Sequence, residues 1–101
     1  MKRIILLGML ISMLSANAFA DGNVKTEIIE RCKKQMGEYG ASMVKACVDQ
    51  DLDAVNGIDN FPDKYSNIVA RCMKQMRQYG FSMVKACADQ DIEAEEALSN
   101  Y

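Results

Sequence analysis

One 24-residue segment is written twice in this chain. Arg31–Ala54, "RCKKQMGEYGASMVKACVDQDLDA", aligns without a gap on Arg71–Ala94, "RCMKQMRQYGFSMVKACADQDIEA", at an offset of forty residues. The copies differ at seven positions and are identical at the other seventeen. A period of this length marks one supersecondary unit that was copied, each copy leaning on the other to cover an apolar face neither can bury alone. Whatever the first copy does locally, the second should do again.

The apolar residues of each copy recur at helical spacing. Val24, Ile28, Cys32 and Met36 form one stripe, and Met43, Val44, Cys47, Val48, Leu52 and Val55 a second. Tyr65, Ile68, Val69, Cys72 and Met76, then Met83, Val84 and Cys87, repeat the pattern. These are i, i+3, i+4 intervals, and no segment shows the alternation of a strand. The residues between them are mostly Lys, Glu, Gln and Ala, which favour helix. The fold class is all-α.

Tyr39-Gly40 and Tyr79-Gly80 decide how the helices are arranged. If each glycine ends a helix in a left-handed conformation and Ser42 or Ser82 caps the next, the chain forms two tandem αα-hairpins with four short helices. If the helix continues through the glycine, at about 1 kcal/mol relative to Ala, two long helices form a single hairpin about Pro62. The cysteines translate these alternatives into pairings. Along a continuous helix Cys32 and Cys47 stand roughly 22 Å apart, far beyond the ~7 Å Cα separation a disulfide allows. The long hairpin therefore pairs Cys32 with Cys87 and Cys47 with Cys72, whereas the tandem form pairs Cys32–Cys47 and Cys72–Cys87. A third set, Cys32–Cys72 with Cys47–Cys87, is the remaining connectivity. The Tyr-Gly-x-Ser signal occurs in both copies, and four short helices enclose a core better than two long ones that share one seam. The tandem arrangement is the expectation, with Cys32–Cys47 and Cys72–Cys87 as its staples.

The ends and the middle suggest the domain organisation. Lys2 and Arg3 precede an apolar run, Ile4 to Leu14, and Ala18-Phe19-Ala20 offers small residues where a signal peptidase reads. Residues 1–20 are expected to be a signal peptide, too short in its apolar part for the ~20 residues a membrane span needs. Repeat 1 then covers 21–56, a linker with Pro62 covers 57–63, and repeat 2 covers 64–101, the two packing as one domain. All fourteen acidic residues but only ten of the twelve basic ones follow Ala20, a net charge of −4. That balance, without a basic cluster, gives no electrostatic case for nucleic acid, and no stable membrane insertion is expected after cleavage. A domain this small often needs covalent staples, and four cysteines suit an oxidising compartment, periplasmic or secreted.

The Cys32-x3-Met36, turn, Met43-x3-Cys47 pattern resembles the α-hairpinin motif, with Met in place of the inner cysteine pair. The long-hairpin alternative is similar to the twin cysteine-helix proteins of mitochondria, whose spacing within each helix is shorter. The whole pattern, Cys-x2-Gln-Met-x2-Tyr-Gly-x-Ser-Met-Val-Lys-Ala-Cys-x-Asp-Gln-Asp, looks like small exported bacterial proteins of unassigned function. That resemblance implies export and brings no activity.

The residue types restrict chemistry further. There is no histidine, which removes Ser-His and Cys-His nucleophiles and imidazole metal sites. Asp49-x-Asp51-x-Asp53 begins like a calcium loop, but Ala54 stands where the loop needs Gly and Asn60 where it needs Glu. It and Asp89-x-Asp91-x-Glu93 read as solvated helix faces. The cysteines lack the Cys-x-x-Cys spacing of redox sites. No catalytic residue and no cofactor is expected, and the chain does not read as an enzyme. A soft-metal alternative remains: Cys32, Met36, Met43 and Cys47, repeated as Cys72, Met76, Met83 and Cys87, offer thiolates and thioethers to Cu(I). The plainer reading is a disulfide beside Met residues that fill core. The functional expectation is a small exported protein of the cell envelope that binds an unknown protein partner near Lys33, Lys34, Arg77 and Tyr39/Tyr79. The two tyrosines can equally pack over their turns, and that is the plainer expectation for them.

Overall fold

A computed structural model describes residues 22–101. The expected signal peptide, 1–20, lies outside the described residues. The described chain is four helices, α1 (Gly22–Met36), α2 (Ala41–Asp59), α3 (Ser66–Met76) and α4 (Phe81–Leu98), with short 3-10 turns at Gly37–Tyr39, Asp63–Tyr65 and Arg77–Tyr79. No strand occurs among the described residues. α1 packs on α2 and α3 on α4, so each sequence copy is one αα-hairpin, and α2 packs on α4 to join the two.

The turns form at Tyr-Gly as the duplication implied. Each helix tightens into a 3-10 turn that ends on Tyr39 or Tyr79, and the chain reverses at a glycine. Gly40 has φ 106° and ψ 163°, Gly80 φ 116° and ψ 155°. This extended, positive-φ conformation is closed to residues with a Cβ rather than the left-handed helical one expected. The capping expectation is also corrected. α2 and α4 begin directly after the glycine, so Gly40 and Gly80 are the N-caps, Ser42 and Ser82 lie inside the first turn, and neither makes a side-chain cap.

Two disulfides close the hairpins: Cys32–Cys47 and Cys72–Cys87, each with Cα atoms 5.8 Å apart. This connectivity rules out the single long hairpin and the crossed pairing. A fifteen-residue separation places each bridge in a regime worth about 3 kcal/mol by the loop-entropy account.

One core runs through both hairpins. Val24, Ile28 and Cys32 of α1, Ala54 and Ile58 of α2, Tyr65, Ile68 and Cys72 around α3, and Phe81, Val84 and Ala88 of α4 are buried in one cluster. α2 extends through Asn56-Gly57 to Asp59, further into the punctuated segment than its turn-forming residues suggested. The end of the Lys85 side chain lies over Gly57, 2.4 Å from where a Cβ would stand, so a side chain there would displace that lysine.

Candidate functional site

The surface where the hairpins meet is built around a carboxylate. Asp51, in the middle of α2, is 2% exposed. Its Oδ2 accepts the Phe81 N–H at 2.9 Å and its Oδ1 the Ser82 N–H at 3.1 Å, while Arg31 of α1 donates to Oδ2. The first amides of a helix have no carbonyl partner within it, and its N-terminus carries a partial positive charge, so a carboxylate there is favoured twice. A second tie runs beside it. Arg77 donates to Glu27 of α1 through Nε at 3.0 Å and Nη2 at 2.7 Å, and its guanidinium carbon stands 5.1 Å from the centre of the Phe81 ring. The first hairpin thus supplies Glu27, Arg31 and Asp51, and the second supplies Arg77 and the start of α4.

This overturns the reading of Asp49-x-Asp51-x-Asp53 as a solvated face throughout. Asp49 and Asp53 are exposed, and Asp49 pairs with Lys45 at 2.7 Å. Asp51 faces the other way and is a buried anchor between repeats. Its counterpart Asp91 pairs with Arg71 in the open, the side chains 41% and 47% exposed.

Next to the anchor lies a groove of about 280 Å³ shared by both hairpins, where Met36, Met43, Tyr79 and Met83 line an opening over Cys47. The sulfur residues are therefore not gathered as two separate quartets. Cys32 and Cys72 are buried, all four cysteines are in disulfides, and Met76 packs against the core. Met83 of the second copy joins Met36 and Met43 of the first. Among the described residues there is no group of three or more His, Cys, Asp or Glu able to hold a metal ion.

The expected partner face is divided by the fold. Lys33, Lys34, Tyr39 and Tyr79 are exposed, and more than half of each tyrosine's surface is open to solvent. Neither is packed away over its turn. Arg77 is committed to Glu27. That ion-paired hydrogen bond raises its guanidinium above the usual arginine value, with burial opposing. Two other groups are displaced. The Lys45 ammonium is raised by its hydrogen bond to Asp49, and the Tyr65 phenol by donating to Glu96 at 2.5 Å. All three lie outside the Met-Tyr groove. A further apolar hollow of about 340 Å³ lies by the inter-repeat link, between Ile58, Phe61, Pro62, Val69 and Met73.

Neither the groove nor the Asp51 anchor follows from local pattern, because both depend on how α4 docks on α2. "ACVDQD" and "ACADQD" are nearly the same string. Two informative differences lie elsewhere: Phe81 replaces Ala41 and Arg77 replaces Gly37, placing the large residues on only one copy.

Fold and staples together define a tandem αα-hairpin protein with one disulfide per hairpin. No family model, no curated protein and no solved structure matches the chain. Among the described residues, no helix is long and apolar enough to cross a membrane.

Proposed function

We propose that the protein acts without catalysis, as an exported protein-binding module of the cell envelope, and meets its partner at the Met-Tyr groove between the hairpins. The carrying observation is the outward placement of Met43, Tyr79 and Met83 together at one groove shared by both hairpins, with Tyr39 exposed on the neighbouring turn. Tyrosine is a frequent anchor of interfaces, and methionine adapts its shape to what it meets. Two disulfides in a small domain support an oxidising location. The test is a photo-crosslinking residue at position 79 in producing cells, with position 93 on an exposed face as control. A discrete protein adduct from 79 alone is expected, and its absence would overturn the reading. Intact mass checks the export half: mature protein should begin at Asp21.

A second reading, soft-metal binding, is favoured by one observation, the convergence of the Met36, Met43 and Met83 thioethers on a single groove. The bonded cysteines offer it no thiolate unless reduced. Replacing Met36 and Met43 together by Leu nearly conserves volume and should cost less than about 1.5 kcal/mol. Stoichiometric Cu(I) binding by the natural protein that this double variant loses while still folding would favour the metal. Absence of copper from both would leave the protein-binding reading in place.

A further inference from the structure

The duplication provides an internal comparison for one surface of the second hairpin. In the first hairpin, Arg31 and Asp51 meet the start of α4, and Ile28, Ala54 and Ile58 are buried in one cluster with Phe81, which is only 1% exposed. Forty residues on, the matching positions are Ile68, Arg71, Asp91, Ala94 and Leu98. These five line an open cleft of about 540 Å³. The change from one hairpin to the other is a loss of cover. Asp51 is 2% exposed and Asp91 41%, Arg31 16% and Arg71 47%. Ile58 is 6% exposed and its counterpart Leu98 64%. The Arg–Asp pair is intact in both.

We propose that the Arg71–Asp91 cleft is a docking socket for the N-terminus of a helix from another protein, one that opens with glycine followed by a bulky apolar residue. The occupied twin defines this ligand. Asp51 takes the first two helical amides, the apolar residue fills the hollow behind them, and the partial positive charge of the helix end faces the acid. Glu95, replacing Val55 at the cleft's edge, adds a second negative charge suited to that end.

A second copy of this chain fits the socket poorly. Its helix start that corresponds to α4's in the repeat is that of α2, where Ala41 stands for Phe81 and Gly37 for Arg77. On the socket side, Asn67 stands for the Glu27 that Arg77 grips. The two outer ends have thus lost the features that hold the inner interface, which opposes end-to-end stacking of copies. The partner is therefore a different protein. This inference extends the protein-binding reading to a separate surface, so an adduct from position 79 stands or falls independently of it.

The probe is the protein itself, given the missing ligand. Gly37→Arg with Ala41→Phe makes the start of α2 match that of α4 while leaving the socket untouched. Ala41 is exposed and a Cβ on Gly37 meets nothing within 4 Å, so both changes can be accommodated, and circular dichroism with thiol counting checks folding. In sedimentation velocity over a concentration series, the double variant should self-associate at least about tenfold more tightly than the natural protein, since burying one Phe is worth more than the 1.4 kcal/mol that factor requires. Adding Asp91→Asn should return it to the natural level. Ala41→Phe alone serves as the second variant and should associate more weakly in the same direction. Variants that fold but stay monomeric would overturn the socket. Asp91-dependent association of the natural protein would overturn the choice of partner and make the occupant a second copy.

Discussion

Asp51→Asn isolates what joins the two hairpins. The carboxylate's two oxygens serve three donors, the amides of Phe81 and Ser82 and the Arg31 guanidinium. An asparagine keeps one acceptor oxygen and sets an NH₂ group where the other stood, so at least one donor faces a donor in either orientation. Arg31 loses its charge partner while 16% exposed. Removing one member of a buried pair costs about 3–5 kcal/mol. Because Arg31 also donates to Gln35 at 2.8 Å, the lower end, ~3 kcal/mol, is the expected loss. For a domain of this size that is a fall in Tm of roughly 12–24 °C. Asp91→Asn makes the same chemical change in an open ion pair and should cost less than about 1 kcal/mol. Thermal and urea melts of both variants with disulfides intact provide the assay. Amide exchange should quicken at Phe81 and Ser82 in Asp51→Asn only. Equal losses from the two variants would refute the argument, because burial and the α4 amides are all that separate the positions.

Three more expectations can be checked on the same protein. Each disulfide should contribute about 3 kcal/mol, measured by melting the Cys32→Ser/Cys47→Ser and Cys72→Ser/Cys87→Ser variants, and digestion without reduction should release Cys32 linked to Cys47. Gly40→Ala should cost about 1–3 kcal/mol in backbone strain, and Gly80→Ala more, because its Cβ would lie 2.8 Å from the Arg31 guanidinium that Asp51 holds in place; equal effects in chemical denaturation would count against that contact. Tyr65→Phe should lower stability at neutral pH by removing the bond to Glu96. The folded phenol is raised above its ordinary value of 10, so its contribution is complete below that value and fades as pH rises through the folded one. The gap between variant and natural protein should therefore close in alkali, and a gap that widens there would be inconsistent with the Glu96 bond.

The helices and their pairing were readable because they rest on local patterns. The stripe through Cys32 and Met36, the Tyr-Gly reversal and the cysteine spacing all act within one copy, and seeing each twice strengthened it. What escaped reading depended on contacts between copies. Asp51 and Asp91 sit in almost identical strings, and only the residues placed opposite them make one an anchor and leave the other in solvent. Ser82 looked like a cap, yet the capping group comes from Asp51, thirty-one residues earlier. Met83 was grouped with Met76 by sequence, while the docking of α4 on α2 brings it to Met36 and Met43.

The order of the bridges bears on how the chain matures. Each joins a cysteine to the next one along, so the first loop can close before any part of the second hairpin exists. A chain that emerges N-terminus first from a narrow channel, meeting oxidant as it comes, needs only to pair its thiols in order of appearance. Contacts within each hairpin are close in sequence, which favours rapid formation. Engagement of Asp51 with the α4 amides must wait until Phe81 has arrived, and it is the step that turns two independently closed loops into one body.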